Sequence, residues 1–397
     1  VGTILVIASV YIAFGFIRAI YRLFTGFLYI APLETPAKRR HFGTVVSVVI
    51  PAWNEEIGVA RTIQSVLDNG YKKLDIIVVD DGSTDDTRRV ADEFAISWPS
   101  KVRVISQRNG GKASALNTGI AAARGSLILT LDADSYLEQG SIAKMVSALV
   151  DKQYGVAIGE VVVGNTKTII GRAQHFEYSV GFHVKRAQHV FNSAYIFPGA
   201  LTMFRKSVLQ EIGEFTDYSS TEDLDISMRI KMAGYKITYV DSAICVTEGA
   251  TNLKGLLNQR TRWRHGYIEC LLHHRDFILS TKKGKYLTFI DLPLQLFGVL
   301  ETILFPVILG GMALLISMNA NPTSLLIALL LVPFMLVLLA LMREKHNSLS
   351  LWVLAMPLML IMIEFIEWLA IMKSIYRAIR RKRTAWTVWQ RSGASNN

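Results

Sequence analysis

The hydrophobic pattern of this chain changes character three times. From Val1 to Ile17 nearly every position is apolar, and the run continues past Arg18 and Arg22 to Ala31. About 20 helical residues at about 1.5 Å each cross a bilayer, so one membrane helix followed by an interfacial helix is predicted. A secretory leader fits less well, because no small-residue cleavage site follows the run. The chain opens on Val1 rather than Met, so the native start is expected upstream. Residues 32–42 form a basic linker. From Thr44 onward short apolar blocks alternate with amphipathic segments. Strands are predicted at 44–50 (halted by Pro51), 75–79, 102–106, 127–131 and 155–163, with a further one running into Phe204. Helices are predicted at 55–69, 84–94, 112–123, 140–151 and 172–191, and from the acidic cluster 221–225 to Met232. Such alternation implies an α/β fold with a doubly wound, mostly parallel sheet.

Residues 253–273 are basic, aromatic and amphipathic, and read as a helix at the membrane surface. Apolar runs return at 286–318, 324–342 and 349–372. The first is long for one span and short for two. Three spans would put the two basic flanks on opposite sides, so either 286–318 re-enters or one span is interfacial. Glu301, if within the bilayer, must face protein or a polar path, because a lipid-facing charge costs on the order of 3 kcal/mol. The expected organisation is 1–42 membrane helix and linker, 43–250 α/β domain, 251–285 interface helices, 286–373 membrane helices and 374–397 basic tail.

Composition supports a membrane protein. Hydrophobic residues make up 51% of the 397 positions, and the net charge is +11. The cations cluster beside apolar runs, at Lys38-Arg39-Arg40 and Arg380-Arg381-Lys382-Arg383. That placement predicts a multi-pass protein of the plasma membrane, contact with anionic lipid, and a cytoplasmic α/β domain. Nucleic acid is not expected as a partner, since no recognition helix or zinc spacing accompanies the charge. Cys245 and Cys270 alone make neither a disulfide framework nor a zinc site.

Several constellations carry chemistry. Asp132-Ala133-Asp134 ends an apolar strand, where an open α/β sheet binds ligands. Hard oxygens there suit Mg2+ or Mn2+ with a diphosphate, and helix capping is the plainer alternative. Asp80-Asp81-Gly82-Ser83 follows another strand and can accept hydrogen bonds from a base or ribose. Asn109-Gly110-Gly111-Lys112 opens a helix and can receive phosphate, although it lacks the Walker spacing. Thr221-Glu222-Asp223 offers a carboxylate as general base, or a helix first turn that complements the dipole. Finally, Gln259-Arg260-Thr261-Arg262-Trp263 places a guanidinium and an indole on the amphipathic segment, or marks a basic interfacial helix with an aromatic anchor.

In this order, together with Pro51-Ala52-Trp53-Asn54-Glu55-Glu56, these motifs resemble the processive family 2 glycosyltransferases: the cellulose, chitin, hyaluronan and poly-N-acetylglucosamine synthases. The resemblance covers residues 45–266. It implies a GT-A fold, a UDP-sugar donor and Mg2+ or Mn2+. Carried over by position, Pro51, Ala52, Asn54, Glu55 and Asp81, with Asp80 as the alternative, frame the uridine. Lys112 and Asp132 lie toward the donor, and Asp134 binds the metal and diphosphate. Asp223 is the general base, with Glu222 beside it. Gln259, Arg262 and Trp263 hold diphosphate and acceptor. Two positions depart from the family. Trp53 stands where tyrosine is common, and Pro198 occupies the acceptor loop where Ser-Gly or Cys-Gly is usual.

The implied activity is an inverting transfer of an N-acetylglucosamine- or glucose-type sugar to a growing polysaccharide, coupled to export. A small accessory membrane subunit is a candidate partner. Two alternatives stand beside this: single transfer to a membrane lipid, and a transporter whose cytoplasmic domain only senses nucleotide.

Overall fold

The computed structural model describes residues 43–317 and 352–380, together with seven positions between Phe14 and Phe24. The linker 32–42, the span 324–342, most of the N-terminal span and the basic tail beyond Arg380 lie outside the described residues.

One sheet holds eight strands: β1 (Val46–Ala52), β2 (Leu74–Asp80), β3 (Val102–Ser106), β4 (Leu127–Thr130), β5 (Ser135–Leu137), β6 (Tyr154–Val163), β7 (Thr202–Arg205) and β8 (Lys236–Thr247). Their spatial order is β3-β2-β1-β4-β7-β6-β8-β5. The helices are α1 (Val59–Leu67), α2 (Thr87–Ser97), α3 (Lys112–Ala122), α4 (Ser141–Ala148), α5 (Ile169–Val190), α6 (Lys206–Ile212), α7 (Glu222–Met232), α8 (Leu253–His273), α9 (Arg275–Leu279), α10 (Leu292–Ser317) and α11 (Trp352–Ile379).

The Val- and Ile-rich strands β1, β2 and β4 are buried at every position, as central parallel strands covered on both faces must be. β1 pairs in parallel with β2 and β4, and β2 with β3. Past β4 the sheet becomes mixed. β7 runs antiparallel to both β4 and β6, and β5 runs antiparallel to β8. β6 and β8 pair in parallel, so six of the eight strands share one direction and the mostly parallel expectation holds, with β5 and β7 as the reversed strands. α5 and the loop 191–201 leave and rejoin the sheet at the end where β6 stops, which reverses β7. As a result the C-terminal ends of β1, β2, β4 and β6 and the start of β7 share one edge. β1 also continues through Pro51, which pairs with Val79, to Ala52. Pairing with β4 ends at Val49 and Thr130, so the missing proline N–H faces a side that is no longer laddered.

Beyond the sheet, Leu287–Asp291 forms a π-helical turn that continues directly into α10. Residues 287–317 therefore form one continuous helical run. Within it, Leu287–Gly311 is the one helix among the described residues long and apolar enough to cross a membrane. Its 25 residues reach about 37 Å. Glu301 is buried and pairs with Arg18, and Asp291 is buried and accepts from Gln188 Nε2 at 2.8 Å. α11 docks on α5 and α8 through Ala173, Phe176, Leu256, Met359, Ile363 and Ile366.

Candidate active site

Three loops at the shared sheet edge are strapped into one platform. Asn54 adopts a left-handed backbone (φ 54°), which asparagine tolerates better than most residues. Its side-chain carbonyl accepts from Thr84 N at 2.8 Å, and its own N–H donates to Ser83 Oγ at 3.0 Å. The Glu55 N–H donates to Thr87 Oγ1 at 2.7 Å. Asp81, fully buried, accepts from Gln107 Nε2 at 2.7 Å and from the amides of Gly110 and Gly111 at 2.9 and 2.8 Å. Asp80 accepts from Ser83 N at 3.1 Å and Ser106 Oγ at 3.3 Å. Both carboxylates, expected from sequence as ligands of a nucleoside, thus tie the Gly82 and Gly110–Gly111 turns together. The next turn is fixed from α1. Thr62 Oγ1 donates to Ala133 O at 2.8 Å, and a Cβ on Gly58 would stand 2.8 Å from that same oxygen.

Against this platform a cavity of about 650 Å³ opens. Pro51, Glu55, Asp132 and Asp134 line one end, and Glu222, Asp223 and Lys112 the centre. Gln259, Arg262 and Trp263 arrive from α8, and Gln295, Thr302 and Glu364 from α10 and α11 form the far end. Ala52, Asn54, Asp80 and Asp81 lie behind the wall.

The centre is a charge cluster. Lys112 Nζ stands 2.6 Å from Asp132 Oδ1 and 3.2 Å from Glu222 Oε1. Burial alone would depress this lysine, but Asp132, Glu222 and Asp223 outweigh it and raise its pKa. Asp223 is pushed up to about 6, first by burial and then by Glu222, against the pull of Lys112 and Arg262. Its Oδ1 accepts from Leu224 N at 2.9 Å at the start of α7, which leaves Oδ2 toward the cavity. A carboxylate poised near neutrality beside cations can take a proton. Two carboxylates at the end of β4 can hold a hard cation. No group of three or more His, Cys, Asp or Glu placed to hold a metal ion occurs among the described residues. A pair of carboxylates fits an ion such as Mg2+, which takes its remaining ligands from water and phosphate.

Gly199 lies in the loop before β7, at the acceptor-loop position that the resemblance marks, and the structure brings it against the charge cluster. A Cβ there would stand 3.1 Å from Lys112 Nζ, 3.2 Å from Asp223 Oδ2 and 3.6 Å from Asp132 Oδ2. Gly199→Val should therefore cut turnover by roughly 100-fold, as misplacements of about 1 Å do. Its thermal midpoint should stay close to that of the unsubstituted chain; full activity would show that the cluster tolerates the intrusion.

α8 is held by α11. Glu367 pairs with Arg260 at 3.2 Å and Arg264 at 2.6 Å, and Arg260 also reaches Glu177 at 2.6 Å. The Arg260 guanidinium carbon lies 4.3 Å from the Trp263 ring centroid, and Tyr178 packs on that indole at 6.4 Å. Arg262 donates weakly to Ser220 O at 3.5 Å. Gln259 is buried with its side-chain carbonyl unpartnered. Glu367→Gln leaves Arg260, 2% exposed, with half its counter-charge. Breaking a buried pair this way costs about 3–5 kcal/mol, so a large drop in thermal midpoint is expected; an unchanged midpoint would mean the cluster is not stabilising.

Fold and site together define a GT-A domain, and the family comparisons agree. Residues 47–213 match the model of glycosyl transferase family 2, so the chain carries a family 2 glycosyltransferase domain. It is 30% identical over 269 residues to the poly-beta-1,6-N-acetyl-D-glucosamine synthase of Staphylococcus aureus (strain COL), covering 67% of this chain and 64% of that protein. With the synthase of the same description from Staphylococcus epidermidis it shares 32% over 242 residues, 60% of this chain and 58% of the relative. The chain thus spans less than two thirds of the length of these relatives. The fold is similar to a mannosyltransferase from Pyrobaculum calidifontis in complex with GDP-Man and Mn2+ (TM-score 0.62, 20% identity, 92% of this chain and 99% of that one).

Proposed function

We propose that this protein is an inverting membrane glycosyltransferase that moves a sugar from a UDP-sugar onto the end of a growing polysaccharide. The observation that carries this reading is the single cavity. It joins the strand-end carboxylates Asp132 and Asp134, the base Asp223 and the Arg262–Trp263 pair, and runs on between α10 and α11. The staphylococcal relatives are synthases of a β-linked N-acetylglucosamine polymer, which makes that sugar, or a glucose-type one, the first donor to test. The structural neighbour holds GDP-Man, so the fold does not by itself select uracil.

Asp134, with Asp132 beside it, would hold Mg2+ or Mn2+, and the bound cation would offset charge on the diphosphate. Asp223 accepts the proton of the acceptor hydroxyl as that oxygen attacks the anomeric carbon of the donor. The bond from that carbon to the diphosphate breaks, and the configuration inverts. Lys112 and Arg262 place positive charge where the diphosphate oxygens gain negative charge. Trp263 offers its face to a sugar ring, and the helices lining the cavity limit water that would otherwise compete as acceptor. The far end of the cavity leads toward α10 and α11, which fits product leaving through the membrane and the α/β domain lying on the cytoplasmic side. The full chain given radiolabelled UDP-N-acetylglucosamine or UDP-glucose with Mg2+ should release UDP and build a ladder of products. One lipid-soluble product would indicate single transfer to a lipid, and no UDP release would remove the enzymatic reading.

A further inference from the structure

α5 carries none of the motifs, yet it forms a whole wall of the cavity. Tyr178, Gly181, Phe182 and Lys185 fall at helical spacing on one face, and all four line it. Two of them are unexpected on packing grounds. Gly181 sits in the middle of a 22-residue helix, where glycine is unfavourable relative to alanine. Among the described residues nothing lies within 4 Å of a Cβ built on it, so no described neighbour demands its smallness. Lys185 makes no ion pair or hydrogen bond among the described residues. Its ammonium rests 4.5 Å from the Phe182 ring centroid, and burial lowers its pKa to about 8, with Asp223 the carboxylate that opposes the fall. A cation resting on one aromatic face in the cavity that Asp223 also lines, without an acceptor among the described residues, is placed to meet an oxygen on whatever the base deprotonates.

We propose that this face of α5 is the specificity wall for the acceptor sugar. Gly181 leaves a notch for one ring substituent, and Lys185 donates a hydrogen bond to an oxygen of that substituent, a carbonyl or hydroxyl, beside the apolar face of Phe182. The wall lies on the acceptor side because Tyr178, on the same face, packs on the Trp263 indole at 6.4 Å, and Lys185 lines the same cavity as Asp223. This rests on the transferase reading above. Filling the notch should therefore separate stability from activity, since the residue that weakens the helix is the one the substrate needs.

The test uses the full chain with UDP-N-acetylglucosamine, Mg2+ and a short β-linked N-acetylglucosamine oligosaccharide as acceptor, read by UDP release. Gly181→Ala should raise Tm by about 2 °C, as relief of a mid-helix glycine does in a chain of this size. Gly181→Leu and Lys185→Met should each raise the acceptor KM about tenfold or more, the size of one lost charged hydrogen bond. The KM for UDP-N-acetylglucosamine should stay unchanged in both, and Lys185→Arg should recover part of the loss. Wild-type release of UDP with acceptor KM unmoved in both variants, or with donor KM moved instead, overturns the wall alone. Absence of UDP release by the wild-type chain overturns the transferase reading and the wall with it.

Discussion

Asp223→Asn cuts sugar transfer by about 10²–10⁴ and leaves UDP binding largely intact. Asparagine keeps the shape and still accepts from Leu224 N, so α7 retains its start. What it loses is the ability to take a proton, and a positioned base is worth about 10²–10⁴ in rate. Two pH effects accompany the loss. Because Asp223 is raised to about 6, the wild-type rate should fall as pH drops through about 6, and the residual rate of the variant should lack that limb. Stability runs the other way. In the unfolded chain this carboxyl ionises near its ordinary value of 3.8, while in the fold it holds its proton to about 6. Folding stability therefore declines as pH rises between those values, and the cost of the buried charge is complete above them. The variant should melt higher than wild type at pH 8 and no higher at pH 4. Transfer retained with UDP affinity lost would assign the base elsewhere.

Asp134→Ala loses donor binding and divalent-ion dependence together. Wild-type UDP affinity, measured by calorimetry, should rise when Mg2+ or Mn2+ is added, whereas the variant should give the same weak affinity with and without the ion. Removing one charged contact of this kind costs about 1.5–3 kcal/mol, or about tenfold to a hundredfold in affinity. Asp132→Ala should behave differently. It removes the nearer of Lys112's two carboxylate partners, 2.6 Å away, and so disturbs the centre of the cluster as well as the donor end. An Asp134→Ala chain that stays active and indifferent to metal would contradict the assignment of the strand-end carboxylates.

Much of the α/β half is legible because local pattern and tertiary role coincide there. Val102–Ser106 and Leu253–His273 fall on the predicted bounds, and the Val- and Ile-rich composition of the central strands already marks them as buried. β8 escapes the pattern although it is the longest strand. Its Ile237-Thr238-Tyr239-Val240 run carries the β-branched signal, and the polar Asp241 and Ser242 interrupt it where its register with β6 shifts. The site is legible where chemistry is written in motifs: carboxylates, a lysine and the Arg262–Trp263 pair all reach one cavity. Asp80 and Asp81 show the limit of that reading, for a motif names a carboxylate but not whether its oxygens face a ligand or the amides of a neighbouring turn. Glu367 and the α5 face are not legible, since each matters through a partner distant in sequence. Glu367, for example, matters only because α11 lies on α8.

The central claim is that one cavity both activates the acceptor and extends a polymer. The most direct measurement is the product made by the full chain from radiolabelled UDP-N-acetylglucosamine with Mg2+, run beside Asp223→Asn. The prediction is UDP release matched by sugar incorporated into a ladder of lengthening β-linked chains, with both reduced by about a hundredfold or more in the variant. A ladder undiminished in Asp223→Asn, or a single product of fixed size from the wild type, would contradict it.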